Sequence, residues 1–154
     1  MVINKKDELV SGSSDGTINV WNVERGELIR TITGHTGGVE ALVIGKNEEL
    51  VSGSKDHTIK VWNSERGELI RTLTGHTDEV WALTITSKGE LVSGSRDCTI
   101  KVWNMETAEV MKTLTGHTEG VTAFVISRGG ELVSGSGDQT IKVWNMKRGE
   151  LIRT

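Results

Sequence analysis

The sequence predicts an all-β protein made of four stacked, four-stranded antiparallel meanders. Three observations predict it. Trp21, Trp62, Trp103 and Trp144 recur every 41 residues, and His35, His76 and His117 keep the same step. Within each 41-residue unit the apolar positions alternate with period two, and no stretch of helical spacing is long enough to compete. The aromatic inventory of five Trp, one Phe and no Tyr concentrates nearly all aromatic mass in one residue type, as a set of identical packing sites would require.

The second unit shows the elements in order. Val39 to Ile44 alternates as a strand, and a Gly/Lys/Asn turn leads to Glu49 to Ser54. A tight turn at Lys55-Asp56-His57 leads to Thr58 to Asn63, and Glu65-Arg66-Gly67 leads to Glu68 to Leu73. If the second hairpin closes around Asp56-His57-Thr58, Ser52 stands opposite Trp62. Aligning the stretches that begin at Met1, Leu42, Leu83 and Phe124 leaves fifteen of the first 31 columns identical, so every unit shares this plan. One such meander has two apolar faces and cannot bury both alone, so the units must stack face to face.

Composition removes several classes. With 18 Lys plus Arg against 21 Asp plus Glu, the net charge of −3 supplies no general attraction for nucleic acid or anionic lipid. No apolar run approaches the roughly 20 residues that span a bilayer, and Met1 to Val10 lacks the apolar core of a signal peptide. The single Cys98 cannot form an intrachain disulfide and no Asn-x-Ser/Thr sequon occurs, so a reducing, cytoplasmic setting is expected.

Thr-Gly-His-Thr, followed by Ser-Gly-Ser-x-Asp-x-Thr-Ile-x-Val-Trp with the Trp 27 residues after the His, resembles the WD-repeat β-propeller family over essentially the whole chain. Two departures stand out: the naming dipeptide is Trp-Asn in all four copies, and the usual Ser-Pro-Asp-Gly turn is absent. The resemblance implies four blades of approximately 1–33, 34–74, 75–115 and 116–154. It also implies one hydrogen-bonded network per blade, matched here by His35/Ser52/Asp56/Trp62, His76/Ser93/Asp97/Trp103 and His117/Ser134/Asp138/Trp144. The first copy has Ser11, Asp15 and Trp21 without a His, because the chain is ten residues short of four units, in the segment equivalent to Ile32 to Ala41. An indole only donates, a hydroxyl does both, and a neutral imidazole donates at one nitrogen and accepts at the other, so the set can satisfy itself internally. A catalytic-triad reading of the Ser, His and Asp is disfavoured, since the Ser is engaged by an indole and the set recurs three times.

Propellers of the family usually close with seven blades, whereas four would need about 90° per blade against roughly 45–51° for eight or seven. The leading expectation is therefore a half-propeller that pairs with itself, a homodimer closing an eight-bladed ring. Alternatives are a closed four-bladed monomer, a fragment of a longer array, or an excised or engineered piece that only self-assembles; the irregular stretch Met105 to Lys112 looks more like natural drift.

The end of each blade that holds the His and Asp is the one WD-repeat proteins often use for partners, and its columns vary within the chain. Lys55, His57, Arg96, Glu79, Trp81, Glu40 and Thr122 are the candidate rim for a protein or peptide, with Trp81 either an aromatic hot spot or a residue packed between blades. His57 and Cys98 share a column without further ligands at zinc spacing, so no metal and no cofactor is expected. Arg25, Arg66, Arg148, Arg30, Arg71, Arg153, Lys60, Lys101 and Lys142 read as solvated faces and edge protection. The function expected is a noncatalytic interaction scaffold, and an enzyme housed on a propeller is the least favoured alternative. Replacing Trp103 by Ala is expected to cost about 3–5 kcal/mol, the range for truncating a buried large aromatic; a loss below about 1 kcal/mol in denaturant titration would exclude a buried indole.

Overall fold

The computed structural model describes all residues from Met1 to Thr154. Sixteen strands form four antiparallel sheets, each following chain order. The first contains β1 (Val2–Ile3), β2 (Glu8–Gly12), β3 (Ile18–Asn22) and β4 (Glu27–Ile32), and the second β5 (Val39–Ile44), β6 (Leu50–Ser54), β7 (Ile59–Trp62) and β8 (Leu69–Leu73). The third contains β9 (Val80–Ile85), β10 (Leu91–Ser95), β11 (Ile100–Trp103) and β12 (Val110–Leu114). The fourth contains β13 (Val121–Ile126), β14 (Leu132–Ser136), β15 (Ile141–Asn145) and β16 (Glu150–Arg153).

The register of the central hairpins differs from the sequence expectation. Ser52 stands opposite Lys60 and Trp62 opposite Leu50, so the Ser and the Trp are diagonal neighbours on one face. The cause lies in the turn. Ser54 N–H donates to Thr58 C=O and His57 N–H to Ser54 C=O, each at 3.2 Å, which closes the hairpin on Ser54 and Thr58 with His57 left-handed at φ 67°. Cys98 (φ 68°), Gln139 (φ 64°) and Gly16 (φ 86°) hold the same position in the other sheets. A shift of two positions along one strand leaves every side chain on its original face, which is why the pattern of burial survives it.

Three apolar clusters join the sheets in sequence. Val51, Ile59, Val61 and Leu73 of the second sheet pack on Val80, Leu91 and Trp103 of the third. The corresponding residues join the first sheet to the second and the third to the fourth, around Trp62 and Trp144. Each fully buried aliphatic side chain contributes about 1.5–3 kcal/mol, so these faces carry most of the stabilisation of the stack. Closest approach occurs at a glycine: a Cβ on Gly53 would lie 2.7 Å from Val80 Cγ1, and one on Gly12 2.6 Å from Val39 Cγ1. The second strand of each sheet thus offers a slot for the first residue of the next.

No buried cluster joins the fourth sheet to the first. Ile141 is 64% exposed where its counterparts Ile59 and Ile100 are 1% and 0% exposed, and nothing lies within 4 Å of a Cβ on Gly135. On the opposite outer face, Leu9 and Trp21 are half-buried, whereas their counterparts Leu50 and Trp62 are buried.

Several recurrent cations are not simply solvated, contrary to the sequence expectation. Lys60, Lys101 and Lys142 donate along the sheet to Thr72, Thr113 and Thr154, and Lys142 is buried. Arg30 donates to the Ser64 carbonyl at 2.6 Å and Arg71 to the Met105 carbonyl, each reaching the turn between the third and fourth strands of the next sheet. Lys112 does the same at the Met146 and Lys147 carbonyls, both at 2.6 Å. The apolar stem lies along the sheet while the charged head finds backbone carbonyls that would otherwise face water. Arg153 is the fourth member of this column and engages no acceptor within the chain.

Candidate functional site

The segment between β4 and β5 carries Gly34 and His35, and it enters the second sheet beside Trp62. Gly34 has φ 145°, and a Cβ there would lie 3.0 Å from the indole, so the chain passes too close to the ring for a side chain. His35 Nδ1 lies 2.7 Å from Asp56 Oδ2 and Nε2 lies 2.7 Å from Ser52 Oγ. Trp62 Nε1–H donates to the same Ser52 Oγ at 2.8 Å. The ionised Asp56 carboxylate can only accept, so Nδ1 carries the proton of the neutral imidazole, and Nε2 then accepts from the Ser52 hydroxyl, which itself accepts from the indole.

The other two sets repeat this geometry. His76 meets Asp97 at 2.8 Å and Ser93 at 2.7 Å, with Trp103 donating to Ser93 at 2.7 Å. His117 meets Asp138 at 2.7 Å and Ser134 at 2.8 Å, with Trp144 donating at 2.8 Å. In the first sheet Trp21 donates to Ser11 at 2.8 Å, while Asp15 is exposed and bonds Thr17.

Two further members escaped sequence reasoning. Thr58, Thr99 and Thr140 donate to Asp56, Asp97 and Asp138 at 2.6, 2.7 and 2.6 Å. The second Ser of each Ser-Gly-Ser receives the Asp backbone N–H, and Ser54, Ser95 and Ser136 also donate to a carbonyl of the preceding loop, Ser54 to Gly37 at 2.9 Å. The signal was present, since both positions are identical in all four copies.

Burial alone would raise the Asp56 and Asp97 carboxyls, but the donors around each outweigh it and hold both at about 2. For Asp56 these are the Thr58 and His35 side chains with the Thr36 and Thr58 backbone; for Asp97 they are the Thr99 hydroxyl, the Thr77 backbone, His76 and the Thr99 backbone. His35 and His76 are lowered below the usual 6.5, because burial disfavours the imidazolium more than the neighbouring carboxylate favours it. The Ser hydroxyls at the centre are buried and doubly engaged, a poor arrangement for a nucleophile.

At the end of the sheets where the His and Asp lie, the rim residues form a charged cluster around one indole. Trp81 is half-buried, donates to Glu79 Oε2 at 2.8 Å, and occupies the space that a Cβ on Gly120 would need. Arg96 pairs with Glu79 at 3.5 Å and Asp78 at 3.9 Å, and His57 lies 3.9 Å from Asp78. Lys55 pairs with Glu40 at 3.5 Å. Thr122 instead engages its own sheet, donating to the Gly135 carbonyl at 3.3 Å. Trp81 thus packs against the following loop while staying partly exposed.

Four-stranded meanders stacked face to face, each fastened by an indole, a hydroxyl, an imidazole and a carboxylate, define a protein of the β-propeller class. The family model described as WD domain, G-beta repeat matches residues 3–22, 26–63, 67–104 and 108–145, and the chain belongs to the WD40 repeat family. Each of the last three matched stretches begins near the outer strand of one sheet and ends in the third strand of the next, so the family's repeat straddles two sheets.

The crystal structure of the WD40 β-propeller domain of Doa1 superposes with a TM-score of 0.83 at 32% identity, covering 95% of this chain and 49% of that one. In sequence, 33 residues are 54% identical to the F-box/WD repeat-containing protein sel-10 of Caenorhabditis elegans and 52% identical to F-box/WD repeat-containing protein 7 of Drosophila melanogaster. Those matches cover 21% of this chain and 6% and 2% of the relatives, so the likeness is one of repeat and not of whole protein.

The network makes stability acid-sensitive in two stages. The lowered imidazoles contribute stability that is complete above 6.5 and is lost as pH falls through their folded values. The lowered carboxyls contribute stability that is complete above their ordinary 3.8 and is lost as pH falls towards about 2. Thermal melts followed by circular dichroism should show the midpoint dropping below pH 6.5 and again below pH 3.8; a midpoint flat from neutrality to pH 4 would contradict a neutral, buried imidazole.

Proposed function

We propose that the protein is a noncatalytic interaction scaffold that completes its propeller by joining a second copy of itself, two four-bladed arcs closing an eight-bladed ring. WD40 propellers generally act as platforms for binding proteins. The observation that carries the reading is the pair of outer faces. The fourth sheet offers Val133, Ile141 and Val143, the same side chains that Val51, Ile59 and Val61 bury against the next sheet. The first sheet offers Leu9 and Trp21, the counterparts of Leu50 and Trp62 that receive such a face. Arg153 adds directionality: its counterparts all donate to a carbonyl of the following sheet, and the matching position in the first sheet is Val23. A head-to-tail pair related by a twofold axis uses both surfaces twice and leaves none open.

On that ring the rim around Trp81, Arg96 and Glu79 is the surface for a protein or peptide partner. The indole supplies contact area, and the flanking charges Lys55, His57, Glu40 and Asp78 supply orientation. The absence of an exposed nucleophile in the three Ser-His-Asp sets favours binding over catalysis.

Light scattering should give 33.6 kDa, twice the chain mass of 16.8 kDa, and Ile141→Lys should return the mass to that of one chain. A wild-type mass of 16.8 kDa at micromolar concentration would overturn the ring. For the rim, a Trp81→Ala/Arg96→Ala variant that keeps its fold should lose the partners retained by the intact protein in a pull-down; an unchanged set would remove this surface from consideration.

A further inference from the structure

At the end of the sheets opposite the rim, each pair of neighbouring sheets is separated by a groove between the turns that follow the first and third strands. The repeat makes the three grooves directly comparable, and their charges diverge. Between the first and second sheets Lys6 pairs with Glu65 at 2.8 Å and Lys5 pairs with Glu48, and the space left is about 20 Å³. Between the second and third sheets Asn47 and Glu106 take the places of Lys6 and Glu65. That groove, about 380 Å³, is lined by two cations, Lys46 and Lys88, and three carboxylates, Glu49, Glu90 and Glu106.

Between the third and fourth sheets the corresponding residues are Lys88 and Lys147, two cations where the first groove holds an ion pair. Lys112 and Arg128 line the same cavity of about 490 Å³, against the single carboxylate Glu90, which accepts from Thr86. Four cations and one carboxylate give the cavity a net charge of +3. Lys112 is held in place by the Met146 and Lys147 carbonyls, while the exposed side-chain charges of Lys88, Arg128 and Lys147 have no acceptor within the chain. Gly129 and Gly130 keep the fourth-sheet wall open.

Like charges gathered around one groove repel, and a multivalent anion between them replaces that repulsion with charge-assisted hydrogen bonds. We infer that the groove between the third and fourth sheets binds a small polyanion bearing two or more neighbouring phosphate groups. Its size suits a compact ligand, and with only Ile126 and Met146 as apolar lining it does not suit a greasy one. The site lies within one chain and does not depend on ring closure or on the rim.

Titration calorimetry of the full chain at physiological salt tests this, with inorganic tripolyphosphate in one arm and vesicles bearing an inositol bisphosphate headgroup in the other. Saturable binding is expected in at least one arm, and the arm that responds identifies whether the phosphates are free or on a lipid. Lys147→Glu restores the carboxylate found at Glu65 and Glu106 and should weaken binding by about tenfold or more, with the melting temperature unchanged or raised. Lys88→Asn, which copies Asn47, should weaken it less. Absence of saturable binding in both arms, or equal binding by wild type and Lys147→Glu, would overturn the site.

Discussion

A four-stranded meander with apolar side chains on both faces cannot be stable alone, and the remainder of this molecule answers that constraint. Each sheet passes one face to its successor and receives another from its predecessor, so cohesion runs along the chain in steps of 41 residues. The two outermost faces necessarily remain, with Ile141 on one and Trp21 on the other.

Apolar contact does not by itself say how one sheet is aimed at the next, and the polar network supplies that. The linker from β4 to β5 is pinned when His35 reaches Ser52 and Asp56, because an unpaired buried polar partner would cost about 1–3 kcal/mol. Burial lowers the imidazole against the pull of Asp56, and the donors around Asp56 lower its carboxyl, so the neutral-His, charged-Asp state is the one the fold selects at neutral pH. Around the outside, Arg30, Arg71 and Lys112 add a second tie from each sheet to the turn of the next. Inner hydrogen bonds and outer cations together hold the stack at two radii.

Strand positions and the Trp-Ser-His-Asp sets were legible because period-two alternation and fourfold recurrence are local properties of the sequence. The hairpin register was not, because it depends on His57 taking a left-handed conformation that a Gly occupies in the first sheet. Thr58 was visible as an identical column, yet nothing local distinguishes a strand-opening Thr from a carboxylate ligand. The anchoring of Arg30 and Arg71 was hidden for a different reason: their acceptors lie 34 residues away on another sheet, where a pattern of charge alternation carries no information. Ala108 shows the limit from the other side, since it holds φ 60° where the other copies place Gly, and only the chain around it enforces that.

The glycine slot on the second strand has a further meaning when set against the Trp on the third. At the inner end of each interface Gly53 lets Val80 approach almost to backbone contact, while farther out Ile59, Val61 and Leu73 stand against the full thickness of Trp103. The space between sheets is therefore a wedge, thin at the axis and thick at the perimeter. Curvature is written in the difference in volume between a hydrogen atom and an indole, and the number of blades in a closed ring is the number of such wedges that fill a circle. A methyl group added at Gly53 or Gly94 would act as a shim, altering the angle of the arc before it altered any site.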